Sequence, residues 1–423
     1  MKRMIPGLCL AMLLAAVLAC GPTTPVPTEP PAGATPSQTP EPPTLDTATP
    51  TEPPPTAVPT DTPEPTLTPT ETPTLEPVII TYIAMIDTSN GWGIGSLTGD
   101  DNHVLRTSDG GHTWTDVTPP EPSLATKHAT GFFVDNNHAW VTYYPSTIGS
   151  PPYSFYTWNT TNGGTSWTQS AAQSVEFLGS INTPPYMHFS DANTGWIMLR
   201  LGAAGMHKYP VYLMRTLNGG ATWDMLIDPF GAVFLQSCRK TGMHFSGSLT
   251  GWVTFDNCPT TEPAVIVTDD GGATWSDIVL PPPASEPSLF ANAFCFTYSP
   301  NLLSPTSGGL VSHCTLYSDP TTTLDYVYRT ADGGSSWIGY DYPGGPLLLL
   351  NSNIGFALDN QIHRTDDGCV SWTHIGTTSW DGQFSFVSQL YAWAVARAGT
   401  SIALVKSATG ASSWGLLNPV LAP

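Results

Sequence analysis

Carboxylates and cysteines are the residues of this chain whose types and spacing could carry chemistry. Hydrolysis of a glycosidic bond needs two carboxylates held at a fixed separation. Three acidic residues outside the repeated segments are candidates, Asp256, Glu262 and Asp325, but they fall in long loops with nothing to hold them in place. The sequence therefore favours a non-catalytic protein, with no catalytic residue assigned, and a glycoside hydrolase is the alternative.

One cysteine marks the N-terminal segment and its compartment. Lys2 and Arg3 precede an apolar run that ends at Ala19, directly before Cys20. This layout is that of a secretory signal peptide over residues 1–19. A small residue before the cysteine is typical of bacterial lipoproteins, in which the cysteine is lipidated and becomes the mature N-terminus. We therefore expect an extracytoplasmic protein, anchored by lipid to a bacterial membrane and displayed at the cell surface or in the envelope.

A proline- and threonine-rich tether is expected over residues 20–77. Between residues 21 and 77 the chain holds 19 of its 43 prolines and no aromatic residue. Such a segment cannot bury enough apolar surface to offset its ordering entropy, which predicts a disordered linker.

The folded part is expected over residues 78–423, and it is acidic. It carries 25 acidic and 11 basic residues. This balance argues against nucleic acid or an anionic membrane surface as a partner. The lipid on Cys20 then remains as the membrane contact.

Four cysteines of the folded part are spaced as two pairs in neighbouring repeats. The oxidising exterior permits disulfides between Cys238 and Cys258 and between Cys295 and Cys314, and crossed pairing between the repeats stays open. Cys369 is then left as a free thiol. Because no CxxC or His/Cys ligand spacing is present, the sequence predicts neither a metal site nor a cofactor.

An internal repeat dominates the folded part. Seven segments follow the pattern Thr/Ser-x-Asp/Asn-Gly-Gly-x-Thr/Ser-Trp, with a degraded last copy, and their tryptophans lie 35 to 62 residues apart. The polar third residue can bond the turn's own amides, and the glycines supply the positive φ angles of a hairpin turn. We interpret these polar residues as structural, since seven equivalent copies cannot share one active site. The positions are Asp109 with Trp114, Asn162 with Trp167, Asn218 with Trp223, Asp270 with Trp275, Asp332 with Trp337, Asp367 with Trp372, and Trp414 in the last copy.

A Gly-Trp strand or its equivalent precedes each of these segments. With the strand before it and the two strands flanking the turn, each repeat supplies four short antiparallel strands. Four-stranded units repeated radially form a β-propeller. The sequence therefore predicts an all-β fold, a single seven-bladed β-propeller. How the ring closes stays open, and side-chain packing between the first and last blades, instead of a shared blade, is one route. The equivalent positions are Trp92, Trp140, Trp196, Trp252, Leu310, Phe356 and Trp393.

These paired signatures, over residues 78–417, resemble the Asp-box (BNR-repeat) β-propeller superfamily. Its members include sialidases, sortilin-like receptors, xyloglucan-degrading propellers and the photosystem II assembly/stability-factor family, and the rhythm of the signatures is most similar to the last group and its bacterial lipoprotein relatives. The resemblance implies the propeller fold and is weakly specific for function. The arginine motif of sialidases is absent, and xyloglucan-degrading relatives use two facing propellers. This acidic domain also departs from the basic patch that photosystem-assembly relatives present to a membrane protein.

Long insertions fall on one side of the predicted ring. They follow the Gly-Trp strand or connect blades, so antiparallel topology places them opposite the seven turns. Exposed tyrosines in these insertions would suit protein or glycan contacts. Alternatively, they continue the strands and cover the blades. The candidate binding residues are Tyr143, Tyr144, Tyr153, Tyr156, Tyr209 and Tyr317.

These observations favour a cell-surface lipoprotein whose non-catalytic propeller binds or helps assemble extracytoplasmic proteins. A protein partner is favoured, and glycan or cell-wall binding is the alternative. A sialidase-like or other glycoside hydrolase is less favoured.

Overall fold

The computed structural model describes residues 75–145, 153–175, 183–205, 207–229, 236–256 and 262–422. They form a seven-bladed β-propeller of four-stranded antiparallel blades, which confirms the predicted fold class. The expected signal peptide, the lipidated Cys20 and most of the 20–77 tether lie outside the described residues. Within the described ranges, no helix is long and apolar enough to span a membrane.

The chain builds the blades one after another. The strands up to the end of blade three are β1 (Glu76–Pro77), β2 (Ile79–Met85), β3 (Gly91–Ser96), β4 (His103–Thr107), β5 (Thr113–Asp116), β6 (Lys127–Phe133), β7 (Ala139–Pro145), β8 (Tyr153–Phe155), β9 (Trp158–Thr160), β10 (Thr168–Gln169), β11 (Gln173–Val175), β12 (Tyr186–Phe189), β13 (Gly195–Arg200), β14 (Val211–Thr216) and β15 (Asp224–Ile227). A 3₁₀ turn at Leu124–Thr126 precedes β6.

Blades four to seven continue this order. Their strands are β16 (Arg239–Ser246), β17 (Thr250–Asp256), β18 (Ala264–Thr268), β19 (Ser276–Val279), β20 (Ala293–Leu302), β21 (Gly308–Leu316), β22 (Thr323–Thr330), β23 (Ile338–Asp341), β24 (Leu347–Leu349), β25 (Gly355–Leu358), β26 (Gln361–Thr365), β27 (Thr373–Thr377), β28 (Asp381–Phe386), β29 (Ala392–Ala398), β30 (Ser401–Ser407), β31 (Gly415–Leu417) and β32 (Val420–Leu421). One helical turn, α1 (Leu289–Asn292), lies between blades four and five.

The hydrophobic core lies between neighbouring blades. Trp196 and Leu213 of blade three pack with Phe245 and Val253 of blade four in one cluster. Because a blade is covered on both faces, its second strand is buried along its length, as in Gly355–Leu358. This explains why these strands are continuously apolar instead of alternating.

Tryptophans of the Gly-Trp strands join neighbouring blades by hydrogen bonds as well as by packing. The indole nitrogen of Trp140 donates to the carbonyl of Gly219 in blade three at 2.7 Å. The indole of Trp196 donates in the same way to Gly271 in blade four at 2.8 Å. Both rings are almost fully buried. Each bond ties one blade to the repeated turn of the next, so these turns lie on a common face.

The seven repeated segments, here called repeat turns, share one local hydrogen-bond pattern. In the first copy, the Thr107 hydroxyl accepts a hydrogen bond from the Gly111 amide at 3.0 Å, and the Asp109 carboxylate accepts one from the Thr113 amide at 2.9 Å. The degraded last copy keeps the pattern, because Thr409 Oγ1 accepts from the Ser413 amide at 3.1 Å.

Electrostatics within a repeat turn favour the charged carboxylate. Hydrogen bonds from the side chain and then the amide of Ser336 lower the pKa of Asp332 to about 2. The carboxylate of that turn therefore stays ionised in mild acid.

Both ends of the described chain close the ring on blade one. Strand β32 pairs in parallel with β5, and β1 pairs antiparallel to β32, which makes this sheet six-stranded. The Trp393 indole of blade seven donates to the Gly110 carbonyl of blade one at 2.9 Å. Main-chain pairing therefore adds to side-chain packing, the route named from the sequence.

Two histidines meet near the axis of the ring, where the first strands of blades three and four contact each other. The ring centroids of His188 and His244 lie 4.3 Å apart. Burial lowers the pKa of His244 to about 4, and burial followed by the neighbouring His244 lowers the pKa of His188 well below its ordinary value. Both rings are therefore neutral at pH 7.

Candidate functional site

The two faces of the propeller are built from different connections. One face, which we call the repeat-turn face, holds the repeat turns and the turns between the first and second strands of each blade. In blade two, for example, the amide of Gly163 in the repeat turn donates to the carbonyl of Asn137 in the turn between the first two strands. Connections between second and third strands, and between blades, form the opposite face, here the loop face. Its described segments include 117–126, 153–157 and 280–292. The described parts of the insertions predicted from the sequence thus lie on the loop face.

An aromatic pocket of about 200 Å³ opens on the loop face between blades two and three. Strand β7 ends there, and strand β8, which pairs with β11 outside the main sheet of blade two, brings the second wall. Blade three adds a proline and a leucine. The lining residues are Glu121, Lys127, Tyr143, Tyr144, Pro145, Ser154, Phe155, Tyr156, Pro185 and Leu199.

Glu121 forms the polar base of the aromatic pocket. Its side chain is fully buried and pairs with the Lys127 ammonium. It also accepts hydrogen bonds from the Tyr156 hydroxyl at 2.9 Å and from the Trp158 indole at 2.6 Å. A buried carboxylate persists only with such partners, so Glu121 fixes the positions of both aromatic side chains.

The Tyr143 hydroxyl is the unsatisfied group of this pocket. It is buried and has no hydrogen-bond partner among the described residues. Burial, followed by the charges of Glu121 and Asp116, raises the pKa of Tyr143 far above its ordinary value, so the phenol stays protonated. The Tyr143 side chain packs against the core cluster shared by blades one and two, so its hydroxyl is enclosed behind the pocket wall.

The other pocket phenols are also protonated at neutral pH. Burial and then the Asp101 charge raise the pKa of Tyr144 to about 12. Burial and the hydrogen bond to Glu121 raise the pKa of Tyr156 to about 12. Both rings therefore present an apolar face with a neutral hydroxyl, which suits contact with uncharged groups.

The structure brings together only some of the tyrosines singled out in the sequence. Tyr143, Tyr144 and Tyr156 line the aromatic pocket, and Tyr143 and Tyr144 do so as the end of strand β7. Tyr153 lies in β8, but its side chain is outside the described residues. Tyr209 lines a separate cavity, and Tyr317 is 53% exposed beyond blade five.

The cysteines of blade five face each other across two paired strands. Cys295 of β20 and Cys314 of β21 form a disulfide. Cys238 is also disulfide-bonded, but Cys258 lies outside the described residues. Cys369 is a buried free thiol whose sulfur accepts a hydrogen bond from Arg329 at 3.4 Å.

Two of the three candidate carboxylates do not lie in unsupported loops, so that part of the sequence analysis is wrong. Asp256 ends strand β17, is almost fully buried, and accepts a hydrogen bond from Arg239 Nε at 2.8 Å. Asp325 lies within β22 and contacts His313 Nδ1 at 2.6 Å. The strands extend further toward the loop face than the spacing of the repeats predicts. Glu262 is exposed.

The described residues contain no group of three or more His, Cys, Asp or Glu side chains that could hold a metal ion.

No protein-family model matches the sequence, and a search of curated proteins gives no match. Solved structures match at low identity. The polysaccharide lyase Uly1 superposes with a TM-score of 0.51 at 10% identity, over 78% of this chain and 89% of that chain. A puromycin-hydrolysing peptidase of Mycobacterium tuberculosis has a TM-score of 0.50 at 12% identity, over 82% and 54%. YCF48 bound to a D1 peptide has a TM-score of 0.47 at 16% identity, over 79% and 94%.

These likenesses concern the fold alone.

Sequence reasoning missed the base of the aromatic pocket. Glu121 and Lys127 lie in and after a connection between blades, outside any repeated motif. One signal was available, because Glu121 is a lone acidic residue among Pro119, Pro120 and Pro122. A charge placed in such an apolar, rigid stretch indicates a fixed partner.

Proposed function

We propose that this chain is a lipid-anchored surface protein whose propeller binds a segment of an extracytoplasmic protein in the aromatic pocket. The observation that carries the proposal is a wall of aromatic side chains around a hydrogen-bonded polar base at Glu121. An apolar or aromatic side chain of the partner would fill the pocket against Tyr144 and Tyr156. This combination of an aromatic wall and few polar groups is typical of peptide-binding pockets.

Photo-crosslinking tests the site in the cells that make the protein. A benzoylphenylalanine in place of Tyr144 should crosslink to a protein, and the adduct should be lost on protease treatment. The matched control places the same group at Tyr391, which is 38% exposed on the repeat-turn face and should give few adducts.

Alanine at Tyr153 and Tyr156 in the same probe protein should abolish the adduct without unfolding the domain. Adducts that resist protease and yield to glycan-degrading treatment would support the glycan alternative. Equal crosslinking at Tyr144 and Tyr391 would refute the pocket.

A non-catalytic role agrees with the state of the pocket groups. Tyr156 and Glu121 are hydrogen-bonded, but the raised pKa of Tyr156 disfavours its use as a nucleophile. Glu121 already bonds three donors of the pocket itself, so both of its oxygens serve to hold neighbouring side chains. A screen with sialosides and acidic polysaccharides should show no turnover. Turnover abolished by Glu121→Gln would overturn this part of the proposal.

The lipid anchor is tested separately. Cells fed a clickable palmitate analogue should label the wild-type protein, and Cys20→Ser should lose both the label and membrane retention. Cys369→Ser is the matched control, because Cys369 is buried in the propeller.

A further inference from the structure

A second cavity lies on the loop face between blades three and four, and positive side chains surround it. Its volume is about 140 Å³. We call it the basic cavity. Its lining residues are Thr183, Arg200, Leu201, Gly202, Ala203, Tyr209, Pro210, Val211, Arg239 and Lys240.

Lys240 is a buried cation without a counter-ion. The residue is 2% exposed, and its ammonium donates hydrogen bonds to the carbonyls of Ser237 and Cys238, the latter at 2.8 Å. No carboxylate among the described residues pairs with it. Lys127 in the aromatic pocket differs, because Glu121 neutralises it. A buried ammonium without a carboxylate is costly, and two neutral carbonyls compensate it only in part.

Arg200 adds a second uncompensated charge. Its guanidinium lies 4.2 Å from the centre of the Tyr186 ring, and it donates to the Pro184 carbonyl at 2.8 Å. Its Nε is buried and has no hydrogen-bond partner in the described structure. Aromatic stacking, the Pro184 carbonyl and the Tyr186 hydroxyl, which accepts a hydrogen bond at 3.2 Å, hold the guanidinium in place without neutralising it.

Arg239 is the neutralised member of the three. It pairs with the almost fully buried Asp256, which also accepts a hydrogen bond from the Tyr298 hydroxyl at 3.3 Å. Among the described residues the cavity therefore has one carboxylate for three basic side chains, and Arg200 and the protonated form of Lys240 have no carboxylate partner. The surrounding propeller has the opposite sign, with 25 acidic and 11 basic residues. The unpaired positive charge is therefore local and is directed at this cavity.

The basic cavity and the aromatic pocket share their dividing wall. Pro185 and Leu199 line the aromatic pocket, whereas Thr183, Arg200 and Leu201 line the basic cavity. Both stretches belong to the start of blade three. One extended ligand can therefore contact both sites.

We propose that the basic cavity binds a carboxylate of an acidic side chain, in the same protein segment that fills the aromatic pocket. This inference rests on the proposed function for the identity of the ligand, but not for the chemistry of the site. A carboxylate supplies two acceptor oxygens, which suit the remaining Lys240 proton and the unpaired Arg200 Nε–H. Partner segments should thus carry Asp or Glu near a large apolar residue.

Lysine-selective NMR tests the site in the intact chain. The chain has five lysines, so protein labelled with ¹³C at lysine Cε gives few signals, and Lys240→Met assigns the one of interest. Burial lowers the pKa of Lys240 to about 7 in the free protein. Because a bound anion favours the charged amine, N-acetylglutamate amide should raise the apparent pKa of Lys240 by at least one, a tenfold change in proton affinity.

Controls separate a site from a general salt effect. At matched ionic strength, N-acetylglutamine amide should leave the Lys240 signal unchanged, and the exposed Lys208 should not respond to either compound. Arg200→Gln should lower the affinity for N-acetylglutamate amide, as read from the Lys240 signal, by about tenfold or more. No response of Lys240 to the glutamate compound, or an equal response of Lys208, would overturn the proposal.

The test also reports the class of ligand, and its outcome does not depend on whether the aromatic pocket binds a protein. A response to glucuronate with none to the glutamate compound would overturn the assignment to a protein segment. Because neither small probe needs the aromatic pocket, the Lys240 response stands even where crosslinking at Tyr144 fails.

Discussion

Polar groups at the strand ends find their hydrogen-bond partners differently on the repeat-turn face and on the loop face. On the repeat-turn face a polar side chain bonds amides of its own turn, as Asp270 does with Thr274 at 2.8 Å. On the loop face Glu121 is held by Tyr156 and Trp158, which lie 35 and 37 residues away in sequence. Local bonding makes a turn that can be repeated, whereas distant bonding makes a single site. The comparison assigns structural roles to the repeat-turn face, and our proposal places binding on the loop face.

The largest effect is expected from a tryptophan that fixes a repeat turn to the core. Trp114 is fully buried and its indole donates to the Gly111 carbonyl at 3.0 Å, so Trp114→Ala should cost about 3–5 kcal/mol of unfolding free energy. Denaturant unfolding measures this loss. Trp414 is half-buried with an unpaired indole nitrogen, and Trp414→Ala should cost clearly less. Equal losses would show that the seven turns do not differ in their anchoring.

Acid should weaken the centre of the ring before it weakens the repeat turns. The folded-state pKa of His244 is about 4, below the ordinary value of 6.5, so its contribution to stability is complete above pH 6.5 and falls as the pH drops toward 4. Protonation of His244 should lower the unfolding free energy by at most about 3 kcal/mol. Unfolding free energies at pH 7 and pH 4.5 measure it.

The control for the acid prediction is His244→Gln, which should remove a large part of the pH dependence. Retention of the full dependence in this variant would assign the acid loss to His188, whose pKa is also lowered, and its retention in the double variant His188→Gln/His244→Gln would assign it to the repeat-turn carboxylates instead. This is the opposite of what the low pKa of Asp332 predicts.

A smaller effect is expected from the base of the aromatic pocket. Glu121→Gln keeps a single acceptor oxygen, so its NH2 group faces either the Trp158 indole or the Tyr156 hydroxyl, and the Lys127 charge loses its partner, which should cost about 1–3 kcal/mol. The same variant should reduce crosslinking at Tyr144. Glu286→Gln, an exposed glutamate of the same face, is the matched control and should change neither quantity. A loss of stability with intact crosslinking would separate the base from the binding site.

The smallest effect is expected from an amide in a repeat turn. Asn162 and Asn218 already make the same bonds in blades two and three, so Asp270→Asn should change the unfolding free energy by less than about 1 kcal/mol. Thermal melting measures the change, with Asp270→Ala as the disruptive comparison. A large loss for the asparagine variant would mean that charge, and not geometry, holds the turn.

The same contrast explains what could be predicted from the sequence. The blade count followed from the repeat turns because each turn is fixed by residues within a few positions, as with Thr107, Asp109 and Gly111. The tyrosines that line the pocket were predicted from their place in the long insertions, but Glu121 and the pairing of Asp256 with Arg239 were not predicted. Their partners are brought together by strand length and by the stacking of blades, which leave no periodic signal in the chain.

Strand β1 is the outermost strand of the blade-one sheet. It pairs with β32, and β32 in turn pairs with β5. Tension applied at the N-terminal end of the described chain therefore acts first on the two residues of β1, then on Val78, whose amide donates to the Pro419 carbonyl at 3.0 Å, and then on β2. The strand that closes the ring, β32, is at the opposite end of the chain, so the covalent backbone does not pass this load to it directly.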